Sequence, residues 1–291
     1  MFRLIGNAGK RLLLMLALGC AALNPSWATG KIVRITGIPD ENPTELQRKY
    51  APMVNYLSKE LGTEVQYVPV MDYGAAVTAL AADKVDFAWL GGFTHVQARV
   101  MTGAQPVVMR DIDRKFKSVF IANADAGIKK REDMRGKTFA FGSKSSTSGH
   151  LMPRHFLMSV LKIDPEKDFN GAPVYSGAHD ATVKLVESGK VQAGALNFEV
   201  WERLTQEHKY DSGKVKVVWT TPEYVDYVWT VRKGMDPKLV ARFRAAFLKL
   251  DPANEEHKAV LALQGAQKFV PGTPADFDAI EKVARETGLL K

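Results

Sequence analysis

The sequence predicts an α/β protein of two domains, and three observations carry that expectation. Strand-like and helix-like segments alternate along the chain, a second alternating series starts near Gly127, and about 263 residues follow residue 28, too many for one typical compact domain. No internal repeat or low-complexity tract interrupts the pattern.

At the N-terminus Arg3, Lys10 and Arg11 precede an apolar run, 12–23, that is too short to span a bilayer, and Ser26-Trp27-Ala28 supplies a small-x-small cleavage sequence. A secretory leader over 1–28 is expected, hence export and a mature chain from about Thr29. A second reading is a lipid anchor, because Leu16-Ala17-Leu18-Gly19-Cys20 resembles a lipoprotein processing site. Cys20 is the only cysteine, so ordinary cleavage leaves no disulfide and no thiolate zinc site. The net charge is +8, of which three positive charges lie in the leader, leaving +5. Lys and Arg are interspersed with Asp and Glu, for instance along a stretch read as helical, 249–258, and no basic block suggests nucleic-acid binding.

Residues 31–38 read as a strand ending in Gly37-Ile38-Pro39-Asp40 turn chemistry. Thr44 with Gln47 reads as a capping box, opening a helix whose apolar residues Leu46, Tyr50, Met53, Leu57 and Leu61 recur at spacings of three and four, with Pro52 expected to bend it. Strands follow at 64–70, 87–90 and 106–109, with a helix over 74–82. The second series has strands at 138–142, 174–177 and 194–198 and helices starting near Ser148 and Asp180. Segments 214–220 and 227–231 lead the chain back to the first domain, and helices over 237–250 and 274–287 complete it. The expected division is 29–122 with 224–291 as one lobe and 123–223 as the other, crossing near 120–127 and 218–228.

The chemically informative segment is Phe141-Gly142-Ser143-Lys144-Ser145-Ser146-Thr147-Ser148-Gly149-His150, a strand end and small hydroxyl residues before an amphipathic run. A helix N-terminus offers unpaired N–H groups and the positive dipole end, and small hydroxyls add donors without bulk, so the segment suits an anion. The same cluster also suits a plain helix cap.

Four separated segments resemble the phosphonate- and phosphite-binding family of periplasmic solute-binding proteins: Ile38-Pro39-Asp40-Glu41-Asn42-Pro43, Val68-Pro69-Val70-Met71-Asp72-Tyr73, Asp86-Phe87-Ala88-Trp89-Leu90-Gly91-Gly92-Phe93 and Ser145-Ser146-Thr147-Ser148-Gly149. The resemblance runs from about residue 31 to beyond 230. It implies a two-lobed periplasmic binding protein fold of type II character, with mixed sheets, two hinge crossovers and ligand held in the cleft.

It also implies the ligand contacts. Tyr73 matches an aromatic hydroxyl of the first lobe, whose phenol can donate, and Ser146, Thr147 and Ser148 match the run that holds the phosphorus oxygens. His95 stands near a position usually aromatic and reads equally as a partly buried helix histidine. His179, after Ser176-Gly177-Ala178, matches a ligand-facing histidine, with a solvated loop as the plain alternative. Asp226 matches a carboxylate of the return crossover, which can accept the proton of a P–OH group and so disfavour sulfate; its alternative is a turn cap. Glu199 and Asn197 compete for one further position. Trp89, at the mouth end of its strand, suits packing against a P–H or a methyl group, or an ordinary core.

The expected function is capture of phosphite, or of methylphosphonate, hypophosphite or another small phosphonate, for an ABC permease by a monomer without cofactor, metal or nucleic acid. An enzyme built on Ser146, His179 and Asp226 is disfavoured by the absence of Gly-x-Ser-x-Gly and His-Glu-x-x-His. An oxyanion sensor that signals to a receptor kinase is the other reading.

Overall fold

The computed structural model describes residues 32–41 and 43–291. The expected leader, its alternative lipid site Cys20, and Asn42 lie outside the described residues. In chain order the regular elements begin with β1 (Val33–Gly37), α1 (Pro43–Leu61), β2 (Val65–Tyr67), α2 (Tyr73–Ala81), β3 (Phe87–Leu90), α3 (Gly92–Thr102) and β4 (Gln105–Arg110). They continue with β5 (Ser118–Asn123), β6 (Phe139–Phe141), α4 (Met152–Ser159), β7 (Val174–Tyr175), α5 (His179–Glu187), β8 (Ala193–Asn197), α6 (Phe198–Gln206) and β9 (Val215–Thr220). The last group is β10 (Val228–Val231), α7 (Pro237–Leu248), α8 (Glu255–Gln264), β11 (Phe269–Pro271) and α9 (Asp278–Glu286).

Two mixed sheets organise these elements. The first runs β11-β4-β10-β3-β1-β2 and the second β7-β6-β8-β5-β9. In the first, β1 is parallel to β2 and β3, while β10 lies antiparallel between β3 and β4. In the second, β6 is parallel to β7 and β8, and β5 is antiparallel to β8 and β9. Parallel neighbours put strand C-termini along one edge of each sheet, where ligands of open α/β sheets bind.

The periodicity of α1 has the expected outcome: Leu46, Tyr50, Met53, Leu57 and Leu61 are all buried. The helix starts at Pro43, ahead of the expected cap Thr44, because a proline's fixed φ suits the first helical position. It runs on through Pro52. Phe87 and Phe243 stack at 3.8 Å in the first lobe's core, with Trp229 and Phe247 packed beside Phe243. The second lobe buries one cluster on each face of its sheet.

Two expectations are corrected. Strand β5 belongs to the second sheet, so the chain changes sheet between Arg110 and Ser118 instead of at 120–127; its run of buried residues does not mark a sheet, and only its pairing with β8 and β9 reveals its side. The return lies between Thr220 and Val228. The stretch 249–258 is not one helix. Pro252 disfavours helical backbone at Asp251, and the Asn254 side chain caps α8 by accepting from the Glu256 amide.

The two crossing segments are tied to each other. Phe116 and Tyr224 exchange both backbone hydrogen bonds, at 2.9 and 3.0 Å, and Asp226 N–H donates to the Asp113 carbonyl at 2.9 Å. Asp113 in turn holds the buried Arg110 guanidinium at two oxygens, 2.9 and 2.5 Å.

Candidate anion-binding site

The site forms where four strand ends and the return crossover converge. From the first lobe, the turn after β1 brings Asp40, the first turn of α2 brings Tyr73, and the end of β3 brings Trp89 and then the Gly91-Gly92-Phe93 start of α3. Asp72 caps α2 by accepting from the Ala75 amide, which fixes the chain direction at Tyr73. From the second lobe, the end of β6 leads into a π-helical turn, Thr147–Leu151, capped by Ser146, whose hydroxyl accepts from Gly149 N–H at 2.9 Å. The end of β7 leads to His179 at the start of α5.

Across the cleft the lobes meet at the N-terminus of α3. Thr147 Oγ1 accepts from the Phe93 amide at 3.0 Å, and Asp226 Oδ1 accepts from the Gly92 amide at 2.9 Å. These are two of the donors that a helix leaves unpaired at its start, and they carry its positive dipole end. A Cβ at Gly91 would sit 2.9 Å from Thr147 Oγ1 and 3.0 Å from Asp226 Oδ1, so glycine permits this approach. The other carboxylate oxygen of Asp226 is buried and has no partner, and burial pushes the carboxyl up to about 7.

Behind this group lies a second cluster. The Tyr73 hydroxyl donates to Asp40 Oδ1 at 2.5 Å, and the Tyr227 hydroxyl donates to the same oxygen at 3.0 Å. His179 Nδ1 accepts from the Asn197 amide at 3.3 Å, which leaves the proton of the neutral ring on Nε2, 3.3 Å from the Tyr73 oxygen. Burial lowers His179 to about 3, so the ring is neutral at pH 7 and its 3.6 Å approach to Asp40 is not an ion pair.

Tyr73, Ser146, Thr147, His179 and Asp226 therefore stand together. Ser148 lies beside them but faces the crossover, its carbonyl accepting from the Ser118 hydroxyl at 2.7 Å and its side chain bonded to Tyr224. Trp89 is buried, stacks against Tyr227 at 5.5 Å and lines an adjoining cavity of about 580 Å³ with Ile38, Asp40, Arg110 and Asn197. His95 stands apart. Its ring packs on Phe277 at 4.6 Å with Nδ1 2.8 Å from Thr230 Oγ1, inside the first lobe, because it lies on the face of α3 that turns towards β10 and α9.

Asn197 caps α6 and donates to the Tyr227 hydroxyl at 2.9 Å, whereas Glu199 pairs with Arg110 at 2.7 Å. Sequence reasoning missed Asp40, Tyr227 and Arg110. Asp40 stands within a segment singled out for resemblance and Tyr227 follows Asp226, but nothing local marks the partners that give them a place here. Among the described residues no group of three or more His, Cys, Asp or Glu is arranged to hold a metal ion.

Residues 35–277 match the family model for the ABC transporter, phosphonate, periplasmic substrate-binding protein. The chain belongs to this family. A curated relative, the probable ABC transporter phosphite binding protein PhnD1 of Prochlorococcus marinus, is 36% identical over 92% of this chain and 94% of its own. The structure of that PhnD1 in complex with methylphosphonate superposes with a TM-score of 0.85 at 34% identity, over 89% of this chain and 98% of that one. The phosphate-import protein PhnD of Mycolicibacterium smegmatis is 27% identical over 89% of this chain and 87% of its own. The periplasmic binding protein fold expected from resemblance is thus the fold observed. As a family member the protein is a periplasmic substrate-binding component of an ABC transporter and not an enzyme. The triad arrangement is absent too: the Ser146 hydroxyl engages Gly149, and His179 engages Tyr73 and Asn197.

Proposed function

We propose that this protein captures phosphite or a small phosphonate such as methylphosphonate, with hypophosphite a further candidate, and delivers it as a monomer to its permease after export directed by residues 1–28. The observation that carries this reading is the unpartnered, buried oxygen of Asp226, set beside Thr147 and the N-terminus of α3. Positive helix-end donors and small hydroxyls answer the anionic oxygens. A carboxylic group answers a P–OH proton. The Trp89 ring offers an apolar surface to the P–H or P–CH₃ group, which makes no hydrogen bond.

In this reading Tyr73, Ser146, Thr147, His179 and Asp226 surround the ligand, Ser148 braces the loop against Tyr224, and His95 supports α3 from within its lobe. Sulfate carries no proton at neutral pH, so it leaves the acceptor unsatisfied at a cost of about 1–3 kcal/mol, which is roughly ten- to a hundredfold in affinity. Calorimetry with phosphite, methylphosphonate, hypophosphite, phosphate and sulfate tests the assignment. Tightest binding of a reduced or alkylated phosphorus anion is expected. Equal binding of sulfate and phosphite overturns it.

A further inference from the structure

Asp40 has no task in the reading above, yet its carboxylate organises the middle of the site. One oxygen, Oδ1, receives the hydroxyls of both Tyr73 and Tyr227. A phenol has a single proton. With that proton given to Asp40, the Tyr73 oxygen can only accept; the Nε2–H of His179 and the hydroxyl of Ser146 face it, and the Ser146 hydroxyl can rotate to an anion, which leaves one lone pair open to the ligand. The sequence expectation is a Tyr73 phenol able to donate to the anion; in this structure its proton is directed to Asp40, a neighbour the sequence did not reveal.

We propose that Asp40 is a specificity-determining residue: by holding the Tyr73 proton it makes the phenol oxygen an acceptor for a ligand P–OH, so that Tyr73 and Asp226 together require a protonated oxyanion. This rests on the reading that a phosphorus oxyanion occupies the site, and it adds a second acceptor contributed through a residue that need not touch the ligand. Asp40 thus acts as a positioning residue.

The groups that face Asp40 are Tyr73 from α2, Tyr227 before β10, His179 from α5, Arg110 from β4, Tyr50 from α1 and the adjacent Glu41. Asp226 faces Thr147, the Gly92 amide, Asp113, Asp40 and the hydroxyls of Tyr73, Tyr224 and Tyr227. Burial pushes both carboxyls up to about 7. Both gain negative charge as the pH rises through that value, while a ligand P–OH loses its proton, so phosphite affinity falls on the alkaline side.

A purely structural role for Asp40 makes a different prediction. Its backbone carbonyl accepts from the His179 amide at 3.2 Å and its side chain binds two tyrosines, so a residue that only fastened the lobes would scale every ligand by one factor. Calorimetry on Asp40→Ala and Tyr73→Phe with phosphite, methylphosphonate and sulfate, from about pH 6 to about pH 8, separates the two. Asp40→Ala removes the acceptor and frees the phenol proton, so the phosphite-to-sulfate affinity ratio should drop by roughly tenfold, the effect of one acceptor turned donor. The alkaline decline in phosphite affinity should also flatten. Tyr73→Phe deletes only the hydroxyl and should lower the same ratio, which keeps the test decisive if Asp40→Ala fails to fold. An unchanged ratio in a parent that binds phosphite overturns the role of Asp40 and leaves the function intact. A parent that binds none of the three anions overturns the function, and this inference with it.

Discussion

The Thr147 hydroxyl of the second lobe accepts a hydrogen bond from the Phe93 amide of the first. That single contact joins the capped π-turn to the N-terminus of α3 and can exist only when the cleft is shut. An anion between them would use the same two groups, the amide as donor to its oxygen and the hydroxyl turned to donate instead of accept. Ligand and closure therefore draw on one set of polar atoms.

Thr147→Ala removes the hydroxyl from both roles. Affinity for the preferred anion should fall by about 0.5–3 kcal/mol, with little change in the melting temperature of the ligand-free protein. Parallel calorimetry and thermal denaturation check this. Equal affinity of variant and parent removes Thr147 from the site.

Gly91→Ala places a methyl group against Thr147 Oγ1 and Asp226 Oδ1, while it meets the core residue Ile38 only at an ordinary contact distance of 3.6 Å. The expected result is a protein that folds but cannot shut. Solution scattering should show the parent growing more compact with saturating phosphite, as bridging contacts favour the closed state. The variant should keep one radius of gyration with or without ligand.

Asp226→Asn should change the pH dependence of stability. Burial raises the carboxyl's folded-state value to about 7, above the ordinary carboxylate value of about 3.9. Its protonated form thus favours the folded state, with the full contribution present below about pH 4 and lost as the pH climbs through about 7. Buried His95, His150 and His179, all lowered by desolvation, contribute with the opposite sign, so the informative quantity is variant against parent. In buffers free of oxyanions, urea unfolding should find the variant gaining on the parent by up to a few kcal/mol between about pH 4 and pH 8. A constant difference across that range contradicts the raised value. The variant should also discriminate less against sulfate, because its amide can donate to an unprotonated oxygen.

Much of the architecture was legible because it is written locally. The apolar spacing of α1, the β-branched run at β1 and the small hydroxyls after β6 each express their preference within a few residues. What escaped depends on distant partners. The side taken by β5 is decided by β8, and the polarity of Tyr73 by Asp40, 33 residues away. His95 illustrates a third limit. Residues 91–98 are almost continuously buried, so periodicity leaves no polar face from which to tell cleft from core, and only the packing of Phe277 and Thr230 decides.

The position of β10 bears on how the molecule is made. Strands β3 and β4 do not pair with each other; β10, which follows the whole second lobe in the chain, is inserted between them. The second sheet is complete once Thr220 has emerged, but the first stays divided until Val228–Val231 arrive. During synthesis or translocation the inner lobe can therefore mature while its enclosing lobe is still two unjoined pieces. The late strand acts as a keystone, and the same stretch that seals the sheet delivers Asp226 and Tyr227, so the binding cleft comes into being only once the chain has returned from the second lobe.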